Sequence, residues 1–207
     1  MTNKGKFITF EGGDGAGKST HIKRLTTYLE DKGYEVVFIR EPGGTAIGEK
    51  IRDILLGNVN AEMCSQAELL LFEASRAQIT KQVIRPALER GAIVLADRFY
   101  DSSVAYQGYA RGLNIEDIKH LNMFATDRLV PDRTILMESE DVNSGLERAT
   151  QHGADRIESA GTDFHNRVWE GFKQMADAEP NRFKIVRLQD SKDATFAQVL
   201  DALVGIL

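Results

Sequence analysis

The stretch "ITFEGGDGAGKSTH", residues 8–21, decides how the rest of the chain is read. It contains Gly12-x-x-x-x-Gly17-Lys18-Ser19, preceded by the apolar run "KFITFE" and followed by helix-forming sequence from Lys18 to Lys32 that closes at Gly33. A strand, a glycine-rich turn and a helix in that order make a P-loop. Glycines let successive backbone N–H groups turn inward as an anion nest, and the helix adds the positive end of its dipole. The lysine ammonium reaches the β- and γ-phosphates, and the serine hydroxyl is a magnesium ligand. Gly12, Gly13, Asp14, Gly15, Ala16, Gly17, Lys18, Ser19 and Thr20 are therefore the candidate ATP-binding residues, with Lys18 catalytic.

Two competing readings fail. Gly13-x-Gly15 begins a dinucleotide fingerprint, but the third glycine falls at position 18, where lysine stands. A GTPase switch needs an Asn-Lys-x-Asp guanine reader after a later strand, and the sole Asn-Lys is Asn3-Lys4, ahead of the first strand.

Outward from the loop, short apolar runs alternate with amphipathic stretches. "EVVFIR" (35–40), "AIVLAD" (92–97), "RTILME" (133–138) and "FKIVRL" (183–188) read as strands. Helices are expected over 45–56, 63–90, 102–109 and 114–127, within 141–178, and at the C-terminus. The fold class is α/β: one domain over 1–207, with a central, mostly parallel sheet and helices on both faces. The segment "ERATQHGADRIESAG", 147–161, is charged and interrupted by glycines, as a small flap would be and as a solvated loop would be.

The chain has 207 residues, 42% hydrophobic and 28% charged, and a formal net charge of -5. That balance describes a globular protein and argues against nucleic acid or an anionic membrane as partner. No apolar run approaches membrane-spanning length. A single cysteine, Cys64, expected to be a half-buried packing residue, permits no internal disulfide, and the expected compartment is the cytoplasm. The four histidines show no metal-ligand spacing.

In open α/β sheets ligands sit beyond the carboxyl ends of the strands. The second strand runs into Arg40-Glu41-Pro42-Gly43-Gly44-Thr45, and the third ends in Asp97-Arg98. Asp97 either organises magnesium or holds Arg98, and Arg98 suits a bidentate phosphate contact or a salt bridge. Asp14 opposes the field of its own loop. It is either a turn former or a side chain turned outward to an acceptor's hydroxyl.

"EGGDGAGKST", "REPGGT", "LFEASRAQ" and "DRFYDSSVAYQG" together resemble the thymidylate kinase family of the bacterial type, a resemblance running from Phe7 to the C-terminal helix. It implies a P-loop NTPase fold and transfer of the γ-phosphoryl of ATP to deoxythymidine monophosphate (dTMP), with magnesium. It further implies that Phe72 stacks on the thymine ring and that Arg76 donates to a base carbonyl. Ser103 and Gln107 would approach the polar edge of the base, and Tyr106 would pack under the sugar. By the same resemblance Arg98 and Arg52 clamp the acceptor phosphate, Asp14 binds the sugar 3'-hydroxyl, and Glu41 lies near the phosphate and the metal, which Ser19 and Asp97 would hold.

Gly15 stands where one subclass of the family carries an arginine, so the transition-state arginines are expected from the flap, as Arg148 and Arg156. Glu138 or Ser139 replaces the family's common aspartate at the end of "LMES". A homodimer, through the helix over 63–90, is implied as well. Phosphoryl transfer asks mainly for alignment and neutralisation of the moving group, so no dedicated general base is expected. The rival readings are another nucleoside monophosphate kinase and a P-loop ATPase that switches a protein partner.

Overall fold

The structure is a computed structural model that describes residues 5–139, 145, 147 and 153–207. Among the described residues, five strands form one sheet in the order β2-β3-β1-β4-β5. They are β1 (Lys6–Glu11), β2 (Val36–Arg40), β3 (Ile93–Asp97), β4 (Arg133–Glu138) and β5 (Phe183–Arg187). Every pairing is parallel, so all carboxyl ends lie on one edge.

The apolar runs follow from burial on both faces. In β1, Ile8 and Phe10 pack with Leu25 and Leu29 of α1 (Lys18–Asp31) and with Val199 of the C-terminal helix, which spans Lys192–Asp201. Phe7, on the opposite face, packs with Ile79, Ile84 and Phe99. Alternation thus puts one apolar set against each helical layer, and a strand with no wet face reads as a continuous run.

Further helices are α2 (Ala46–Leu56), α3 (Ser65–Ile79), α4 (Arg85–Glu89), α5 (Tyr100–Ser103), α6 (Ile115–Ala125), α7 (Thr162–Ala178) and α8, the C-terminal one (Lys192–Asp201). The expected helix over 63–90 is one helical path from α3 to α4, interrupted by a π turn at Thr80–Ile84. The stretch expected at 102–109 is α5 followed by a π segment, Val104–Ala110. Such wider turns redirect side chains and are frequent at functional sites. Cys64 is exposed rather than half-buried, because it sits in the N-cap position of α3, outside the packed face. Among the described residues no helix is long and apolar enough to cross a membrane.

Candidate active site

Strand β1 is central, so the loop that leaves it, residues 12–17, emerges at the middle of the carboxyl edge. Gly12 has φ 129°, and a Cβ there would lie 2.5 Å from the Met137 carbonyl oxygen. Gly15 has φ 69°, and a Cβ there would collide with the Gly145 carbonyl. Both positions need glycine on conformational and steric grounds. Gly17 ends the loop at φ 76°, and α1 starts at Lys18. The Lys18 ammonium donates to Gly13 O (2.7 Å) and Gly12 O (3.2 Å), folded back over the loop.

Asp14 and Arg98 meet beside this loop: Arg98 Nη2 donates to Asp14 Oδ1 at 2.6 Å, and Tyr106 Oη donates to Asp14 Oδ2 at 3.2 Å. The Arg98 guanidinium carbon lies 5.1 Å from the Tyr106 ring centroid. Burial would raise the Asp14 carboxyl, but Arg98 and Lys18 outweigh it and hold the group at about 2. Burial, then the neighbouring Arg98, lowers the Lys18 ammonium to about 8 against the pull of Asp14 and Asp97. A cation lowered in this way gains when an anionic phosphate arrives. At the foot of the group Ser19 Oγ donates to Asp97 Oδ2 at 2.9 Å.

Arg98 takes a left-handed backbone conformation, φ 69°, uncommon for a side chain of its size. Three bonds support it. Its N–H donates to Phe10 O (3.0 Å), the Phe99 N–H donates to Glu11 Oε1 (2.8 Å), and Ser102 Oγ lies 2.6 Å from Glu11 Oε2. Ser102 Oγ also accepts from Arg98 Nη1 at 3.2 Å. Glu11 is fully buried. Burial, with Asp101 adding to it, raises its carboxyl to about 8 against the pull of Arg98. Sequence reasoning missed Glu11 and Ser102. The signal available was a lone carboxylate closing an apolar strand.

A cavity of about 150 Å³ is lined by Asp14 and Arg98 together with Glu41, Arg52, Phe72, Arg76, Ser103, Tyr106 and Gln107, and by Asp155 and Glu158. Every residue expected at the acceptor site therefore lines one cavity. Phe72 and Arg76 come from one face of α3, and Ser103, Tyr106 and Gln107 from α5 and the π segment. Arg52 Nη1 donates to Pro42 O at 3.0 Å, which ties α2 to the turn after β2.

Arg76 is 1% exposed and is held by several acceptors. Its Nε donates to Glu41 Oε2 (2.9 Å), and its Nη1 donates to Glu73 Oε1 (2.5 Å), Ser103 Oγ (3.0 Å) and Asn122 Oδ1 (3.0 Å). Glu41 Oε1 and Glu73 Oε2 have no hydrogen-bond partner among the described residues. Burial raises the Glu41 carboxyl to about 7 against Arg76, with Glu73 adding to the rise.

The flap residues are divided. Arg148 lies outside the described residues. Arg156 is engaged away from the phosphate loop: its Nε donates to Leu55 O (2.9 Å), and its Nη2 lies 2.7 Å from Glu68 Oε2. The physical reason is a buried carboxylate on α3 that needs cations, which captures this arginine. Asp155 and Glu158 close the turn before α7 reciprocally. Glu158 N–H donates to Asp155 Oδ1 (2.9 Å), and Asp155 N–H donates to Glu158 Oε2 (2.9 Å). Glu138 Oε2 accepts from Arg187 Nε at 2.6 Å, an exposed pair at the end of β4.

A thymidylate kinase family model matches residues 10–199. Thymidylate kinase from Bifidobacterium longum (strain DJO10A) is 47% identical over 198 residues, 94% of this chain and 95% of that protein. The Desulfovibrio desulfuricans thymidylate kinase is 44% identical over 209 residues, 97% of this chain and 96% of its own. The crystal structure of thymidylate kinase from Ehrlichia chaffeensis superposes with a TM-score of 0.79 at 32% identity, covering 96% of this chain and 98% of that one. The all-parallel sheet, with its phosphate loop leaving the central strand, is thus the P-loop NTPase fold as that enzyme has it. The chain belongs to the thymidylate kinase family.

Proposed function

We propose that dTMP lies in the cavity with its phosphate against Arg98 and Arg52 and its base between Phe72, Arg76, Ser103 and Gln107. The observation that carries this reading is the meeting of Asp14 and Arg98, within reach of the Lys18 charge, in the lining of a cavity that also holds the Phe72 ring and the Gln107 amide. Membership of the family makes the reaction transfer of the γ-phosphoryl group of ATP to dTMP, forming dTDP for nucleotide synthesis.

The phosphate loop, with Lys18, holds the ATP phosphates through backbone amides and one ammonium. Arg98 presents a planar fork to the acceptor phosphate, and Asp14 fixes that fork in place. The Asp14 carboxylate keeps acceptor capacity for the sugar 3'-hydroxyl beyond its bonds to Arg98 and Tyr106. Tyr106, packed under the sugar, leaves little room for a ribose 2'-hydroxyl. The acceptor phosphate is anionic at neutral pH, so the chain's task is to align two anions and offset their repulsion.

The hydroxyl of Ser19 and the carboxylate of Asp97, bonded to each other at 2.9 Å, are hard oxygen donors that fit magnesium carried mainly by phosphates and water. Bound there, magnesium would supply neutralisation of the phosphate charge. Arg156 anchors its segment to α2 and α3 through Leu55 and Glu68, and the arginine at the transfer point is Arg148, from a flap within about 147–161. The chain forms one kinase domain, acts in the cytoplasm, and pairs as a homodimer. Leu70 of α3 and Phe124 of α6 are 55% and 86% exposed on helices that pack together, which supports that face for the partner copy.

A panel of nucleoside monophosphates with ATP, run on the wild type and on Phe72→Ala, tests the seating. dTMP is the expected preferred acceptor, and Phe72→Ala is expected to raise its KM by about tenfold or more, the worth of one stacked base. An unchanged KM in a folded variant would remove Phe72 from the site.

A further inference from the structure

Gln107, 1% exposed, lines the cavity, and its amide can offer either an oxygen or an NH2 group to a ligand. Here the NH2 is taken: Nε2 donates to Glu68 Oε1 at 2.8 Å. The reverse orientation would set an amide oxygen against a carboxylate oxygen, which repel. Glu68 is itself fixed. Arg111 donates from Nε to Oε1 and from Nη2 to Oε2, both at 3.2 Å, and Arg156 Nη2 lies 2.7 Å from Oε2. Burial would raise the Glu68 carboxyl, but the bonds from Gln107, Arg111 and Arg156 outweigh it and keep the group below the ordinary carboxylate range. The bond to Glu68 uses Nε2 alone, and Oε1 takes no part in it.

We propose that Glu68 is a positioning residue that sets pyrimidine selectivity: by holding the Gln107 NH2 group, it leaves the Gln107 carbonyl oxygen to meet the base. An acceptor there suits a base whose ring N3 carries a hydrogen, as in thymine and uracil. Cytosine brings a lone pair at N3, and two acceptors then face each other without a proton between them. The inference rests on the reading that Gln107 meets the base edge. It also gives Arg156 a task where the structure places it, as a counter-charge to the carboxylate that orients the amide. The 5-methyl group is not read by this device, so thymine and uracil are treated alike by it.

The test is kcat/KM for dTMP, dUMP and dCMP in the wild type, Glu68→Gln, Gln107→Ala and the exchanged pair Glu68→Gln/Gln107→Glu, with folding followed by circular dichroism. Glu68→Gln keeps the shape but accepts either orientation of Gln107, so the dTMP:dCMP ratio is expected to fall by about tenfold while the dTMP:dUMP ratio holds. In the exchanged pair the residue at 107 again presents an acceptor, and the dTMP:dCMP ratio is expected to return towards that of the wild type. If Glu68→Gln does not fold, a dTMP:dCMP ratio in the exchanged pair that stays far below that of the wild type would overturn the need for an acceptor at 107 and the proposal with it. A ratio unchanged in Glu68→Gln but lowered in Gln107→Ala would overturn the role of Glu68 alone. A ratio unchanged in Gln107→Ala would overturn the base-edge reading itself. Equal loss of both ratios in Glu68→Gln would mean general loosening and would also overturn the proposal.

Discussion

Arg98 and Asp14, 84 residues apart in sequence, are joined across the carboxyl edge of the sheet by a 2.6 Å bond from Nη2 to Oδ1. The pair couples the phosphate loop to the residue that follows the carboxyl end of β3. Arg98→Lys keeps the charge but loses the fork, so kcat/KM for dTMP is expected to fall by about a hundredfold. Steady-state kinetics on the variant check this, and a drop of less than about threefold would count against a bidentate clamp.

Lys18 is buried over the loop with its pKa lowered to about 8, a state poised for an incoming anion. Lys18→Ala is expected to lower kcat on the order of a thousandfold with the circular dichroism spectrum unchanged. Substantial turnover in a folded variant would refute its role.

Arg76 is predicted to matter for the fold as much as for the base. Its removal strands the buried carboxylates Glu41 and Glu73, and a buried pair broken on one side costs about 3–5 kcal/mol. Chemical denaturation of Arg76→Ala is expected to show that loss. A variant as stable as the wild type would mean that the carboxylates are satisfied without it.

The fully buried Glu11 carries its carboxyl at about 8, against an ordinary 4.5, through burial first and Asp101 second. The folded state therefore binds a proton that the unfolded state has released between those values. Stability is greatest below about 4.5 from this group and is lost as pH rises through about 8. Glu11→Gln, which cannot ionise, is expected to flatten the fall of Tm over that window. Glu41, raised to about 7, keeps part of the slope. An identical slope in wild type and variant would show that Glu11 does not titrate there.

The legible part of the molecule is the part written locally. The strands announce themselves because burial on both faces makes "AIVLA" a continuous apolar run, and the phosphate loop is a contiguous motif. Phe72 and Arg76 share a helical face by their spacing of four, but the family resemblance, not the spacing, pointed to the cavity. The supports of the site were not legible, because each is a contact between distant segments. Glu11 bonds residues 88 and 91 positions away, and Glu68 orients an amide 39 positions on. The π segment under Tyr106 and Gln107 has no sequence signature. The flap places Arg156 at the transfer point by sequence, yet its partners, Leu55 and Glu68, belong to elements about a hundred residues earlier.

The most direct measurement is the affinity of one compound in which adenosine and deoxythymidine are joined through a chain of phosphates. If donor and acceptor anions meet end to end between Lys18 and Arg98, it binds the wild type at least about a hundredfold more tightly than ATP or dTMP alone, and either Lys18→Ala or Arg98→Ala weakens it sharply. Binding no tighter than ATP alone, and indifferent to Arg98, would contradict the shared site.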